Sequence, residues 1–385
     1  MQYAFGPLSA LGNVRSFGTM ERKIRFAAIL LAFAATGGCG WTTGAPGPMD
    51  TQRRASPVAE VTDGGPPTGE LFLTDAPLRF VLEADFSLLE GDRSQESEER
   101  PAWVILPGRD GEAVEIPVEV KTRGRFRLRP DICTMPPLRL DFPSTELRGT
   151  VFDGADKVKL VTHCQDQRGY KENLLEEFLA YRLYNLITDV SFRVQLAEIT
   201  YLDTSGQHRP VTRRAFLLED KKALAARLGG EILEVPGLEV GMLHPGELGL
   251  MYLFQYMIGN TDWSTESGHN IEFIRTPETI FAVPFDFDFS GLVDAPYATP
   301  ASSVAGYIRS VRERVYLGDC VDGIDHEDVL GRFREARQDI LALVEARPGL
   351  SFSKRLSAQR YLQEFFKDLG YPELVERNIV LACRR

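Results

Sequence analysis

The feature that most restricts the fold is a change of hydrophobic period part-way along the chain. Apolar and polar residues alternate over residues 78–82, 116–120, 138–142 and 157–160, with turn residues between these runs. A period of two is typical of strands that bury one face, so we expect an antiparallel sheet. Beyond about residue 220 the apolar residues recur at helical spacing. The pattern predicts an α+β protein.

Within the strand-rich part, one helix is predicted over residues 171–186, where the apolar side chains share a face and the glutamates lie elsewhere. Two more strands are expected to follow it, over 192–202 and 214–219. The further helices are predicted at residues 223–228, 246–258, 328–346 and 354–369, and a hairpin at 271–275 and 279–284.

The N-terminal residues have the pattern of a secretory signal. Arg22, Lys23 and Arg25 precede an apolar run over 26–35, and small residues then lead to Cys39. The apolar run is too short to span a bilayer stably, so residues 1–39 are expected to be a removable leader. The residues before Cys39 resemble a lipoprotein box, which would make Cys39 a lipidation site. An ordinary signal peptide cut near Cys39 is the alternative.

The composition after the leader limits the partners. Residues 40–69 are rich in Gly, Pro, Thr and Asp and have no apolar period, so they are expected to be a flexible linker. The net charge of −11 argues against nucleic acid as a partner. We expect membrane contact only through a lipid on Cys39. A phosphorylated ligand held with a divalent cation is compatible with this charge.

Four cysteines follow Cys39, and none has the spacing of a zinc site. An even number in an exported chain favours disulfides, for which three pairings exist. We favour Cys133 with Cys164, which flank neighbouring predicted strands, and Cys320 with Cys383. Four buried thiols are the alternative.

The segment from residue 259 to 291 carries the candidate chemistry. Asp262 follows a predicted helix, Asn270 ends a polar loop at the first hairpin strand, and Asp286 emerges from the second strand. A tight hairpin brings its two ends together, so we expect Asn270 and Asp286 to be close, with Asp262 folded over them. Asp286 and Asp288 alternate with phenylalanines, where carboxylates are costly unless a cation or donors satisfy them.

Phosphoryl transfer to a hydroxyl requires this set of groups. One carboxylate orients the hydroxyl or takes its proton, while an Asn and an Asp hold magnesium on the phosphates. Two alternatives remain open. Asp, Asn, Ser and Gly are common loop residues, and the same oxygens could bind a structural calcium.

The order of these residues resembles the spore-coat CotH kinase-like family, whose members have the protein-kinase-like fold. The resemblance extends over about residues 78–294. The Arg-Gly-Arg sequence at 123–125 is similar to the glycine-containing loop of that family, although a second glycine is absent. The other stretches that resemble it are a basic strand at 137–142, a strand and long helix at 157–164 and 174–186, and the catalytic and metal-binding stretches at 260–270 and 284–291.

The resemblance implies a two-lobed fold with an antiparallel-sheet N-lobe over 70–219 and a mainly helical C-lobe over 220–385. Asp262 would be the catalytic acidic residue. Asn270, Asp286 and Asp288 would surround magnesium or manganese.

The resemblance also implies a cation that anchors the phosphates of ATP. Arg125, Arg139, Lys159 and Lys157 are candidates. Glu177 would pair with this cation from the helix, unless it is an ordinary solvated glutamate. Glu219 falls where the lobes are joined.

The implied function is magnesium-dependent transfer of a nucleotide γ-phosphate to a hydroxyl of an envelope protein. The alternative is a catalytically silent protein of the same fold that binds a partner or a structural metal. In either case we expect a location in the cell envelope, as a periplasmic protein or an anchored lipoprotein, or secretion.

Overall fold

The computed structural model describes residues 70–73, 76–107, 113–143 and 147–384. The predicted leader, the linker and the lipidation site Cys39 lie outside these residues and stay predictions. None of the helices among the described residues is both long and apolar enough to cross a membrane.

Seven strands of the first part form a closed barrel. The strands follow one another around the barrel in the order β1-β2-β3-β4-β5-β7-β6, and β6 closes the barrel by pairing with β1. The strands are β1 (Leu78–Ala84), β2 (Arg100–Pro107), β3 (Ala113–Thr122), β4 (Leu138–Asp141), β5 (Lys157–Val161), β6 (Val194–Asp203) and β7 (Val211–Leu218). The antiparallel prediction is wrong at one place, because β1 and β6 are parallel, with Leu78 beside Ala197. This pairing satisfies the backbone groups that a free edge would expose.

The barrel interior is filled by every second side chain of its strands. Phe80, Leu82 and Ala84 of β1 are buried there, together with the alternate apolar residues of the other six strands. Strand β2 was not predicted from the sequence. Its outward residues Trp103 and Ile105 are also apolar, so the run lacks the clean alternation of its neighbours.

Helix α1 (Phe86–Gly91) follows β1, and α2 (Arg168–Asn185) connects β5 to β6. The sequence predicts α2 to within three residues. It does not predict that α2 is buried on nearly every face, with Glu176 and Glu177 inside. On one side the Phe178 ring contacts Phe216 of β7, so α2 is packed directly against the outside of the barrel.

The second part is mainly helical, as predicted, and α2 packs against it through Tyr184, whose ring lies 4.4 Å from that of Phe254. The two hairpin strands, β9 and β10, form a three-stranded sheet with the short strand β8, in the order β10-β9-β8. The helices are α3 (Lys221–Arg227), α4 (Pro245–Ile258), α5 (His326–Glu345), α6 (Phe352–Asp368) and α7 (Pro372–Val375), and the strands are β8 (Glu231–Ile232), β9 (Ile271–Arg275) and β10 (Ile280–Pro284).

Helix α4 ends where the candidate site begins. Its C-cap, Gly259, has a φ of +65°, and a Cβ at this position would lie 2.1 Å from the Tyr361 hydroxyl oxygen. Both the backbone conformation and the close approach therefore require glycine. This turn directs the chain from α4 into the loop that carries Asp262.

Both predicted disulfides are present. Cys133 is bonded to Cys164, and Cys320 to Cys383. The first joins the segment after β3 to the segment before α2, and the second joins the segment before α5 to the C-terminal residues. Structural disulfides are typical of oxidising compartments.

Candidate functional site

The base of the β9–β10 hairpin brings two predicted residues together. Ile271 pairs with Pro284, and the Phe285 amide donates to the Asn270 carbonyl at 3.0 Å. The prediction that Asn270 and Asp286 lie at one end of the hairpin is confirmed. Both residues have left-handed backbone, with φ of 54° and 62°. Such strained conformations cluster at functional sites.

Asp262 lies over this base, as predicted. The Asn270 side-chain amide donates to the Asp262 carbonyl oxygen at 2.8 Å and to its Oδ2 at 3.1 Å. His269 Nε2 is 2.9 Å from Asp262 Oδ1. These contacts use the donors of Asn270 and leave its Oδ1 for another partner. Asp262 remains accessible, since 31% of its side chain is exposed.

Asp286 connects the hairpin to α2 and to the barrel. Its backbone amide donates to the Tyr181 hydroxyl of α2 at 2.8 Å. Its Oδ1 accepts from Arg127 Nη2 at 2.9 Å, and 36% of the Asp286 side chain is exposed. One carboxylate oxygen is therefore engaged with Arg127, while the side chain still reaches solvent.

Arg127 is the centre of a buried ion cluster. It lies in a short 3₁₀ turn (Phe126–Leu128) and binds Glu177 of α2 through two hydrogen bonds, of 3.0 and 3.2 Å. Its Nε is also 3.4 Å from Asp288 Oδ2, which accepts from the Tyr297 hydroxyl at 2.9 Å. A guanidinium can serve several carboxylates because its five donors are fixed in one plane.

The charges in this cluster do not cancel. Burial acts to lower the pKa of Arg127, but Glu177, Asp288 and Asp286 outweigh it and raise that pKa well above its usual value. Burial raises the pKa of Asp288, with Asp286 and Glu177 adding to the effect and Arg127 opposing it. Within the cluster itself three carboxylates surround one guanidinium, and the charge of Arg123 also acts on Asp286 and Glu177.

Two further cations approach Asp286 from the barrel. Arg123 follows the end of β3, and Lys159 lies on β5 with its Nζ 5.2 Å from the centre of the Phe285 ring. Burial, together with the charge of Arg123, lowers the pKa of Lys159 to about 8, and Glu272, Asp220 and Asp286 oppose this shift. Within the part of the chain that the structure describes, neither cation has a carboxylate oxygen within 4.0 Å. Both are available to an anion.

The remaining predicted residues lie elsewhere or are already engaged. Arg125 is exposed and forms no ion pair with a described carboxylate. Arg139 binds Glu99 on the outer surface of the barrel.

On the same strand as Lys159, Lys157 binds Asp141 at 2.9 Å on the outer surface of the barrel. The Glu219 side chain is buried and binds Arg227 at 2.8 and 3.0 Å, and it also accepts from the Arg193 amide. Its carboxylate is therefore part of the structure rather than free for a ligand.

Glu177 is not a solvated glutamate. It pairs with a cation, as the resemblance implied, but the cation is Arg127 and none of the four candidates. The sequence could not identify Arg127, because it lies in an irregular loop without a period that would give its direction. The only signal is the run of alternating arginines at 123, 125, 127 and 129.

The oxygens at the hairpin base fit a small hard cation. Asn270 Oδ1 and the Asp286 carboxylate are such ligands, and magnesium needs few protein ligands when phosphate and water complete its shell. Asp288 fits this role poorly, because its carboxylate is buried against Arg127 and Tyr297. No group of three or more His, Cys, Asp or Glu side chains among the described residues could hold a metal ion by itself.

No protein-family model matches the sequence, and no curated protein matches it. The chain is similar to a crystal structure of the Helicobacter pylori proinflammatory kinase CtkA, with 13% identity and a TM-score of 0.36 over 63% of this chain and 91% of that one. A complex of the Shewanella oneidensis MR-1 toxin–antitoxin system HipA and HipB with operator DNA has 12% identity and a TM-score of 0.28, over 58% of each chain. Both TM-scores are low, so the resemblance to the CotH kinase-like family stays an expectation from the motifs.

Proposed function

We propose that this chain is an exported, atypical kinase of the CotH-like type. It would transfer the γ-phosphate of ATP to a hydroxyl of an envelope protein, with magnesium or manganese. The observation that supports this best is the convergence of Asp262, Asn270 and Asp286 at one end of a hairpin, with Arg123 and Lys159 beside them.

The roles follow from the chemistry of each group. Asn270 and Asp286 would hold the metal ion, which supplies charge neutralisation on the phosphate oxygens when bound. Arg123 and Lys159 would bind the phosphates from the barrel side. Asp262 would orient the acceptor hydroxyl and accept its proton. The bond between the acceptor oxygen and the γ-phosphorus forms as the bond from that phosphorus to the β-phosphate oxygen breaks, releasing ADP.

Arg127 would be a positioning residue in this reaction. It binds Glu177 of α2 and Asp286 of the hairpin at the same time. The orientation of the metal-binding carboxylate is thereby tied to the position of α2. His269 would play a similar part for Asp262 through their 2.9 Å contact.

A specific observation favours the second candidate, a catalytically silent envelope protein of the same fold. Arg127 Nη2 lies 2.9 Å from the carboxylate that would hold the metal. A guanidinium at this position competes with a divalent cation for Asp286. If this contact persists, the site would bind nucleotide weakly or not at all.

The discriminating experiment is a thermal-shift titration of the mature protein with ATP, in the presence and absence of magnesium or manganese. An active kinase should be stabilised only when both nucleotide and metal are present, since ligand that binds the native state raises its stability. Transfer of labelled phosphate to the protein itself or to an envelope extract should then follow. If no nucleotide binds in the presence of any divalent cation, the catalytically silent envelope protein remains as the proposed function.

A further inference from the structure

A cavity lies on another side of α2, away from the candidate active site. Its volume is about 440 Å³, it opens to solvent, and it is lined by the first half of α2, by β7 and by the loop between α5 and α6. Four cations line it, namely Arg168, Lys171, Arg213 and Arg214, against the single lining acid Glu172. None of these residues belongs to the site described above.

Two of the cations share one nearby carboxylate. Asp166 Oδ1 lies 2.6 Å from Arg213 Nε and 3.1 Å from Lys171 Nζ. The hydrogen bond from Arg213 holds the pKa of Asp166 far below its usual value, and Lys171 adds to this effect. Asp166 therefore stays ionised at working pH but cannot neutralise both partners.

The third cation is only weakly paired. Arg168 Nε is 3.7 Å from Glu172 Oε1, and 79% of the Arg168 side chain is exposed. The same Glu172 oxygen already accepts the backbone amide of Ser351 at 2.9 Å. Asp166 and Glu172 together face four cations, so the walls of the cavity carry an excess of about two positive charges.

Arg214 has no ion pair or side-chain hydrogen bond to any described residue. Its guanidinium lies against the backbone of Gly349, where an added Cβ would be 1.4 Å from Nη1. Gly349 has a φ of +92°, so glycine is required there for both space and conformation. The loop therefore leaves room for Arg214 at the cavity, and among the described residues no side chain or backbone group accepts a hydrogen bond from its guanidinium.

We propose that this cavity binds a small ligand that carries two negative charges, either a phosphate monoester or a dicarboxylate. The excess of positive charge is notable in a chain whose net charge is −11. Leu175 and Leu350 add an apolar wall for the organic part of the ligand. The volume lies within the range of cavities that hold small molecules. This binding does not depend on the proposed kinase activity.

Isothermal titration of the mature protein without divalent cations tests the proposal. The probes are inorganic phosphate, glycerol 3-phosphate and malate. We expect saturable binding that weakens as salt is added, because the contacts are charged and partly exposed. Tighter binding of glycerol 3-phosphate assigns the site to phosphate monoesters, and tighter binding of malate assigns it to dicarboxylates.

Variants locate the binding. Arg214→Met should lower the affinity roughly tenfold or more, as expected for the loss of a charge-assisted contact. Arg168→Gln, at an exposed position that folding tolerates, should lower it by a smaller factor. Arg209→Met is the matched control, since this exposed arginine precedes β7 and does not line the cavity. Lys159→Met should also keep the affinity, because Lys159 belongs to the other site.

Three results would overturn the proposal. The wild type could fail to bind any probe saturably up to about 10 mM, which is weaker than small-ligand recognition requires. Arg168→Gln could bind as tightly as the wild type, a result that stands even if Arg214→Met does not fold. Finally, Lys159→Met could abolish binding, which would place the anion at the hairpin site instead.

Discussion

The barrel and the helical part contribute opposite charges to the same site. The barrel supplies Arg123, Arg127 and Lys159, while the helical part supplies Asp262 and Asp286. A magnesium–nucleotide complex also carries both signs, with a cation that suits the acids and phosphates that suit the arginines and the lysine. The division of charge between the two parts therefore matches the ligand proposed for the space between them.

The two parts differ also in how exposed their charges are. Arg127 and its partners Glu177 and Asp288 are nearly inaccessible, whereas Asp262 and Asp286 are about one-third exposed. Buried ion clusters that lose one partner are strongly destabilised, while exposed ones lose little. We therefore expect changes on the barrel side to affect stability and changes on the hairpin side to affect chemistry.

The largest effect is expected for Asp286→Ala. It removes the carboxylate that is proposed to hold the metal at the hairpin base, so magnesium-dependent nucleotide binding should be lost while the fold is retained. The measurement is the thermal-shift titration with ATP and magnesium. Glu278→Ala, an exposed acid at the opposite end of the hairpin, should bind as the wild type does. Equal binding by Asp286→Ala would show that the metal ligand lies elsewhere.

Asp262→Ala should separate binding from transfer. Because Asp262 is proposed to act on the acceptor hydroxyl, nucleotide binding should persist while the transfer rate falls by about 10²- to 10⁴-fold. His269→Gln should lower the rate less, since it removes only a contact that orients Asp262. The assay is transfer of labelled phosphate at saturating ATP. A rate for Asp262→Ala within a few-fold of the wild type would contradict its assignment.

The sequence was most informative where the site is contiguous. Asp262, Asn270 and Asp286 all belong to one helix–loop–hairpin segment, so a local pattern was enough to bring them together. The helix and hairpin bounds followed from period and from turn residues, as the cap at Gly259 illustrates. These are short-range effects that a single stretch of chain determines.

The sequence was least informative where tertiary packing determines which residues are in contact. Arg127 reaches Glu177 only because an irregular loop returns to α2, and no periodicity encodes that path. Closure of the barrel depends on β1 meeting β6, which is more than a hundred residues away along the chain. The alternative of a solvated Glu177 failed because the barrel and the helical part cover α2 from both sides.

Arg127→Met tests the barrel side of the comparison. It leaves Glu177 and Asp288 buried without their cation, so the free energy of unfolding should fall by about 3–5 kcal/mol. Arg125→Met is the matched control, because this exposed arginine is two residues away and should change stability by less than about 0.5 kcal/mol. Urea denaturation measures both. A loss of less than about 1 kcal/mol for Arg127→Met would mean that the buried cluster is not held together by this guanidinium.

The disulfides compare the two parts directly. Replacing Cys133 and Cys164 by serine should cost roughly 3–4 kcal/mol in the chain-entropy model, for a sequence separation of 31 residues. Replacing Cys320 and Cys383, which are 63 residues apart, should cost about 0.5 kcal/mol more. Thermal unfolding of the two double variants shows which disulfide contributes more to stability. The reverse order would show that the barrel depends more on its crosslink than the loop lengths imply.

The smallest effect, and the one most specific to the candidate site, is the pH dependence conferred by Lys159. Its pKa of about 8 lies below the ordinary 10.5, because burial and Arg123 disfavour the ammonium. Between these values the unfolded state binds more protons, so the contribution of Lys159 to stability without ligand rises with pH.

Nucleotide affinity should change in the opposite direction. It should fall by up to about tenfold above pH 8, as the ammonium that is proposed to contact phosphate loses its proton. Lys159→Met should remove both trends, whereas Lys157→Met on the same strand should keep them, because Lys157 is bound to Asp141 on the outer surface of the barrel. If affinity and stability changed in the same direction with pH in the wild type, Lys159 would not be the residue that anchors the phosphates.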